Sequence, residues 1–122
     1  MEDFGKMKIT RVFSDPSGES RFEDIDIDLS DAGDIGYLSE KFKATGIIFR
    51  ETSGDYDYSW HNAPRRQYVI ILSGEVDFTV SSGETRRFGD GDIILLEDTT
   101  GKGHYSKAVG NQPRKSIFVT LD

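Results

Sequence analysis

The sequence predicts an all-β domain, and three observations lead there. No segment carries apolar residues at i, i+3, i+4 and i+7 over helical length. Two segments alternate instead: Ile25, Ile27 and Leu29 with Asp24, Asp26 and Asp28, and Val76, Phe78 and Val80 with Asp77, Thr79 and Ser81. Successive side chains of a strand point to opposite faces, so both read as strands with one wet face. Turn signals then fall at short intervals along the chain: Asp15-Pro16-Ser17-Gly18, Ser73-Gly74, Ser82-Gly83, Gly89-Asp90-Gly91-Asp92 and Gly110-Asn111-Gln112-Pro113. Many short strands at this spacing argue for an antiparallel sandwich or barrel.

The elements follow in order. Glu23–Leu29 is the first amphipathic strand, and Gly46–Phe49 begins a more continuous β-rich run. Tyr68–Leu72, Ile93–Leu96 and Ile117–Leu121 are further runs of this buried kind. The spacing predicts a hairpin of Gln67–Ser73 and Glu75–Ser81 joined through Ser73-Gly74. Ser82-Gly83 then turns the chain into Glu84–Phe88, and Gly89–Asp92 turns it into Ile93–Leu96. No internal repeat, linker or low-complexity tract interrupts the pattern, so 122 residues make one domain.

Composition removes several function classes. The net charge of −7 resides in residues 1–40, while residues 41–122 balance. No basic stripe with interleaved aromatics offsets that acidity, so no nucleic-acid partner is expected. The chain has no cysteine, which excludes disulfides, thiolate metal sites and thiol catalysis. The longest apolar runs fall far short of the roughly 18 residues of a membrane helix. Met1–Lys8 holds two acids, two lysines and no apolar h-region, so a cytoplasmic protein is expected, with no membrane partner.

Residues 54–104 resemble the cupin superfamily, small β-barrels of jelly-roll type. Gly54, His61, Gln67 and Gly74 fall on the places of the first cupin motif, with Ala63 where a second His belongs. Gly91, Glu97, Gly101 and His104 follow the second motif, after a two-residue insertion and with Ala108 at its terminal Asn. More closely, the runs Trp60–Gln67 and Glu97–His104 resemble the two signatures of a group of small single-domain bacterial cupins. The resemblance implies a single-domain cupin-type jelly-roll β-barrel: N-terminal strands in residues 1–53, the motif core in 54–108 and a C-terminal strand in 109–122.

What the resemblance implies chemically depends on the departures. Metal-binding cupins use two His and one Glu of the first motif with one His of the second. Here His61 and His104 remain, and Ala63 and Gln67 stand at the other two places. A divalent transition metal would therefore meet an incomplete set, His61 and His104 with Gln67 or Glu97 as further donors; Asp98 is a second carboxylate able to complete two His and one carboxylate. Metal-free epimerase and isomerase relatives imply a His as general acid or base oriented by a carboxylate.

Strand parity gives a separate reading. An inward Gln67 puts Val69 and Ile71 inward and, counting back, Arg65, Ala63 and His61. Adjacent arginines point oppositely, so at most one of Arg65 and Arg66 faces inward. The loop Asp98–His104 lacks the G-x-x-x-x-G-K-[ST] pattern and a following helix, so it is no P-loop; its glycines fit a tight loop that aims Lys102 or His104. The pocket so predicted is lined by His61, Arg65, Gln67, Glu97, Asp98, Lys102 and His104. Its cations favour a small anionic ligand, an organic acid or acidic sugar. Plain alternatives stand beside it. Two hydrogen-bonded histidines at a barrel mouth, a structural Gln67, and Tyr56, Tyr58 and Trp60 filling core or a dimer seam explain the same residues. A small-molecule-binding cupin, enzymatic or not, and a non-catalytic ligand-sensing or structural module both remain open. No G-x-S-x-G elbow is present. A homodimer pairing N-terminal strands is expected, because a short sheet protein must cover its edges.

Overall fold

Alternation becomes strand over most of the chain. The computed structural model describes residues 5–122. β1 (Lys6–Ser14) and β2 (Ser20–Asp28) come first, then the short β3 (Ser30–Asp31), one 3-10 turn at Gly33–Ile35 and β4 (Tyr37–Leu38). The middle holds β5 (Gly46–Thr52), β6 (Asp57–His61), β7 (Gln67–Ser73) and β8 (Val76–Val80). β9 (Thr85–Phe88), β10 (Ile93–Leu96), β11 (His104–Ala108) and β12 (Arg114–Thr120) complete the order. Among the described residues there is no α-helix, and none is therefore long and apolar enough to cross a membrane.

Two sheets carry the fold. The larger has six strands in the order β2-β1-β10-β7-β12-β5, and the smaller has four in the order β6-β11-β8-β9. Their inner faces meet in one apolar layer: Val12, Val69, Ile71, Ile94 and Leu96 from the larger sheet, Val76, Phe78, Val80 and Phe88 from the smaller. β8 shows the alternation in burial, with Val76, Phe78 and Val80 buried and Asp77 and Thr79 half-buried between them. The chain is thus the all-β jelly roll the sequence predicts. Hydrogen bonding does not run continuously from one sheet into the other, so the expected barrel takes the form of two facing sheets.

One local expectation is corrected. β7 and β8 do not form a hairpin: β7 pairs with β10 and β12, and β8 with β9 and β11. The backbone of Pro113 and Arg114 packs against this turn: Gly74 has φ +90°, and a Cβ there would lie 2.6 Å from the Pro113 carbonyl oxygen. At this turn the chain passes from one sheet to the other instead of folding back. Ser82-Gly83 does close a hairpin, β8 to β9, with Gly83 N–H donating to the Val80 carbonyl at 3.0 Å. The acidic strand pairs within its own chain along β1, from Ser20 opposite Ser14 to Asp28 opposite Lys6, and its other side is an open edge of the larger sheet.

Candidate functional site

Residues of both sheets line a cavity of about 290 Å³. β6 and β11 bring His61 and His104 to it, and the two residues are directly paired across these strands. Their ring centroids are 4.4 Å apart with a 59° tilt. His104 is 2 % exposed and lies flat against Phe78, at 5.1 Å between centroids. Its Nδ1 is 2.6 Å from Oδ2 of Asp98, which is wholly buried. A carboxylate beside Nδ1 places the proton on that nitrogen and leaves Nε2 to the cavity as an acceptor. The other Asp98 oxygen, Oδ1, has no partner.

His61 stacks on Tyr58 at 3.6 Å and 8°. Its Nδ1 donates to the Ser59 carbonyl at 2.8 Å, so its Nε2 is likewise the acceptor. Burial lowers the His61 pKa below its ordinary 6.5, against the opposing pull of the hydrogen bond to the Ser59 carbonyl. Gln67, 2 % exposed, and Ala63, 3 % exposed, form part of the floor with Val69, Leu96 and Phe118. Parity therefore places His61, Ala63 and Gln67 on the inner side, as counted from the sequence.

Three predicted pocket residues lie elsewhere. Glu97 follows the inward Leu96 and so turns outward, where Arg11 and Arg66 hold it. Lys102 is paired with Glu19 on the surface. Arg65 donates to the Gln67 amide oxygen at 3.1 Å and does not line the cavity. Asp98 reaches the site only through His104. Tyr56 and Tyr58 line the cavity, whereas Trp60 is 49 % exposed and packs edge-on against Tyr105.

The site's cations are two residues that sequence reasoning missed, Arg50 and Arg114. β5 pairs with β12 so that Arg50 faces Ser116 and Thr52 faces Arg114, which makes the two arginines diagonal neighbours. Arg114 is 2 % exposed, and its Nε and Nη1 have no acceptor. Burial, reinforced by the Arg50 charge, lowers its pKa to about 10. Burial lowers Arg50 as well, and its Nε donates to Ser116 Oγ at 3.2 Å. Both guanidiniums lie near the Tyr56 ring, at 5.8 and 5.2 Å, and the Tyr56 hydroxyl is fixed by Ser106 at 2.7 Å. The available signal was the period of two, which carries β5 past Phe49 to Arg50.

These donors do not fit a resident divalent metal. Two imidazole nitrogens are present, but Ala63 offers none and the Gln67 oxygen faces a guanidinium. Among the described residues no three His, Cys, Asp or Glu come together as a ligand set. Two more guanidiniums on the same cavity further disfavour a cation.

Solved structures with this fold include a cupin domain of Cnp3 from Schizosaccharomyces pombe, at TM-score 0.51 and 12 % identity over 100 % of this chain and 86 % of that one. The SPY1581 protein of unknown function from Streptococcus pyogenes matches at TM-score 0.51 and 23 % identity, covering 69 % of each chain. Protein NMB1881 from Neisseria meningitidis matches at TM-score 0.50 and 13 % identity, over 62 % of this chain and 72 % of that one. No curated protein matches the chain. At these identities the likeness concerns fold alone. The model of the EutQ-like cupin domain matches residues 38–109, a span that takes in Arg50, both histidines and Asp98 and stops short of Arg114. On that match over more than half its length, the chain belongs to the EutQ-like cupin domain family.

Proposed function

We propose that this cupin domain binds a small organic molecule in the cavity between its sheets, without a resident metal, and that His104 handles protons there. The observation that carries this reading is the Asp98–His104 pair. A wholly buried carboxylate holds Nδ1 at 2.6 Å, so the imidazole presents Nε2 in one fixed tautomer and direction. Such a pair is the arrangement needed for general acid or base chemistry. His61 supplies a second acceptor nitrogen beside it.

The experiment is nitrogen-detected NMR of the imidazoles, together with metal analysis of protein purified without chelator. His104 is expected as the Nδ1–H tautomer, changed by Asp98→Asn, and its signals are expected to move when organic acids or sugars from a panel bind. A stoichiometric copurifying metal, or a binding ligand that leaves His104 untouched, overturns the reading. The alternative, a non-catalytic ligand-sensing module, draws support from Ala63 and Gln67, which stand where the resemblance puts metal ligands. It predicts binding at the cavity with no chemical change in any bound compound.

A further inference from the structure

Seven of the eight arginines fall into two groups, and the eighth, Arg65, donates to the Gln67 amide oxygen. On the outside, Arg11, Arg21, Arg66, Arg86 and Arg87 each hold a carboxylate. On the cavity, Arg50 and Arg114 have no ion-pair partner among the described residues, although both are the more buried. A charge removed from water is costly unless an opposite charge or hydrogen bonds replace the lost hydration. Here the cost is compounded, because the two guanidiniums are diagonal neighbours on one inner face and repel. Their unmet demand is concentrated. Arg114 Nε and Nη1 lack acceptors, and Thr52 Oγ1, on the residue directly opposite in β5, is a third buried polar atom without a partner.

Resting on the cavity's reading as a ligand site, we propose that its ligand is a small organic carboxylate whose anionic group is the missing counter-ion of Arg114 and Arg50. One negative group between them answers the desolvation and the mutual repulsion together, and carboxylate–guanidinium hydrogen bonds are among the stronger kinds. The rest of the cavity selects the body of the ligand. Ala63, Val69, Leu96, Phe78 and Phe118 give apolar walls, which suit a short carbon skeleton and not a heavily hydrated phosphate dianion. A volume of about 290 Å³ lies at the lower end of ligand pockets and limits the molecule to a few carbons or a single ring. The anion end is set against the larger sheet, and the other end of the ligand meets the imidazoles of the smaller one.

The test uses butyrate, its neutral isostere butyramide, and inorganic phosphate, each added to the full chain at one ionic strength held with sodium chloride. Butyrate is expected to raise the wild-type Tm by about 2 °C or more at tens of millimolar, through binding to the native state alone. NMR titration should show butyrate bound at least tenfold tighter than butyramide, with that preference lost in Arg114→Met. Without ligand, Arg114→Met should melt no lower than wild type, since it removes an uncompensated buried charge and keeps the volume. Arg50→Met serves as the second variant, and the wild-type comparison requires neither. Absence of any butyrate effect on the wild type overturns the proposal, as does an effect of phosphate alone. Equal binding of butyramide overturns the carboxylate assignment while leaving the cavity a ligand site, whose own test is read at His104.

Discussion

Gly103→Ala puts one methyl group where the two histidine strands meet. Gly103 has φ +73°, and a Cβ there would lie 2.3 Å from the His61 carbonyl oxygen and 2.6 Å from its carbon. The left-handed backbone costs an L-residue about 1–2 kcal/mol. The contact cannot be met by rotating a side chain, because the obstructing atoms are backbone, so β6 and β11 must separate by about 1 Å; overpacking of this kind adds roughly 1–3 kcal/mol. The expected loss is therefore about 2–5 kcal/mol, a large share of the roughly 5–15 kcal/mol that holds a domain together. At this chain length it lowers Tm by roughly 3–6 °C per kcal/mol. Gly83→Ala is the control: its φ is +110°, yet a Cβ there meets nothing within 4 Å, so conformational strain alone remains. Urea unfolding followed by circular dichroism measures both variants. A Gly103→Ala loss below about 1 kcal/mol, or no larger than that of Gly83→Ala, would refute the close approach of the His61 backbone.

Three further outcomes are expected. Because burial lowers the folded-state pKa of His61 below 6.5, the unfolded chain takes up that proton first; stability is undisturbed above this pH and declines as pH falls through it. His61→Gln should flatten the decline between about pH 7 and 5.5, a window above the titration of Asp15, Glu19 and Asp122, whose pKa values their hydrogen-bond partners lower further; an unchanged slope in urea melts refutes it. Lys102→Ala and Glu97→Gln should leave butyrate binding within about twofold of wild type and cost at most about 1 kcal/mol each, since both side chains are engaged in outer ion pairs; a tenfold loss by NMR titration would return them to the cavity. Finally, β5 is an open sheet edge with Ile47 56 % and Phe49 74 % exposed, so a homodimer is expected through that edge, and Phe49→Glu should dissociate it; a wild-type monomer mass by light scattering at tens of micromolar refutes this.

What could be read from the sequence was local. β8 is legible because Val76, Phe78 and Val80 alternate without interruption, and His61 and His104 because motif spacing marks them. Asp98 is legible for a related reason: Ile94 and Leu96 face inward in β10, and the same parity sends Glu97 out and brings Asp98 in. Glu97 was misplaced by following motif correspondence over this parity. Lys102 was misplaced because a loop has no fixed period to orient its side chains. The Ser73-Gly74 turn shows another limit, since a short Gly turn fits a hairpin or a passage between sheets equally well. Which one occurs is decided by Pro113 and Arg114, remote in sequence, packed against Gly74. Arg114 is hidden for the same reason, and Arg50 carries only the signal of the period of two. Arg50 looks like an ordinary basic residue closing an apolar run and Arg114 like one leaving a polar turn, and only the β5–β12 pairing reveals a pair of charges.

That pairing also explains why the site needs both sheets. Arg50 and Arg114 stand on β5 and β12 of the larger sheet, and His61 and His104 on β6 and β11 of the smaller. Each wall alone is unfavourable or inert: the first concentrates positive charge without a counter-ion, and the second offers acceptor nitrogens with nothing to receive. Apolar packing deeper in the core holds the walls face to face, so the polar mouth need not supply the stability of the fold. The core can therefore tolerate the orphaned groups at one end, including Asp98 Oδ1, Thr52 Oγ1 and the Arg114 nitrogens. Unsatisfied polar atoms in a native interior demand a reason. The Arg114 nitrogens and Thr52 Oγ1 sit on paired residues of β12 and β5, and Asp98 Oδ1 lies behind His104, so the proposed ligand supplies that reason at the cavity these residues adjoin.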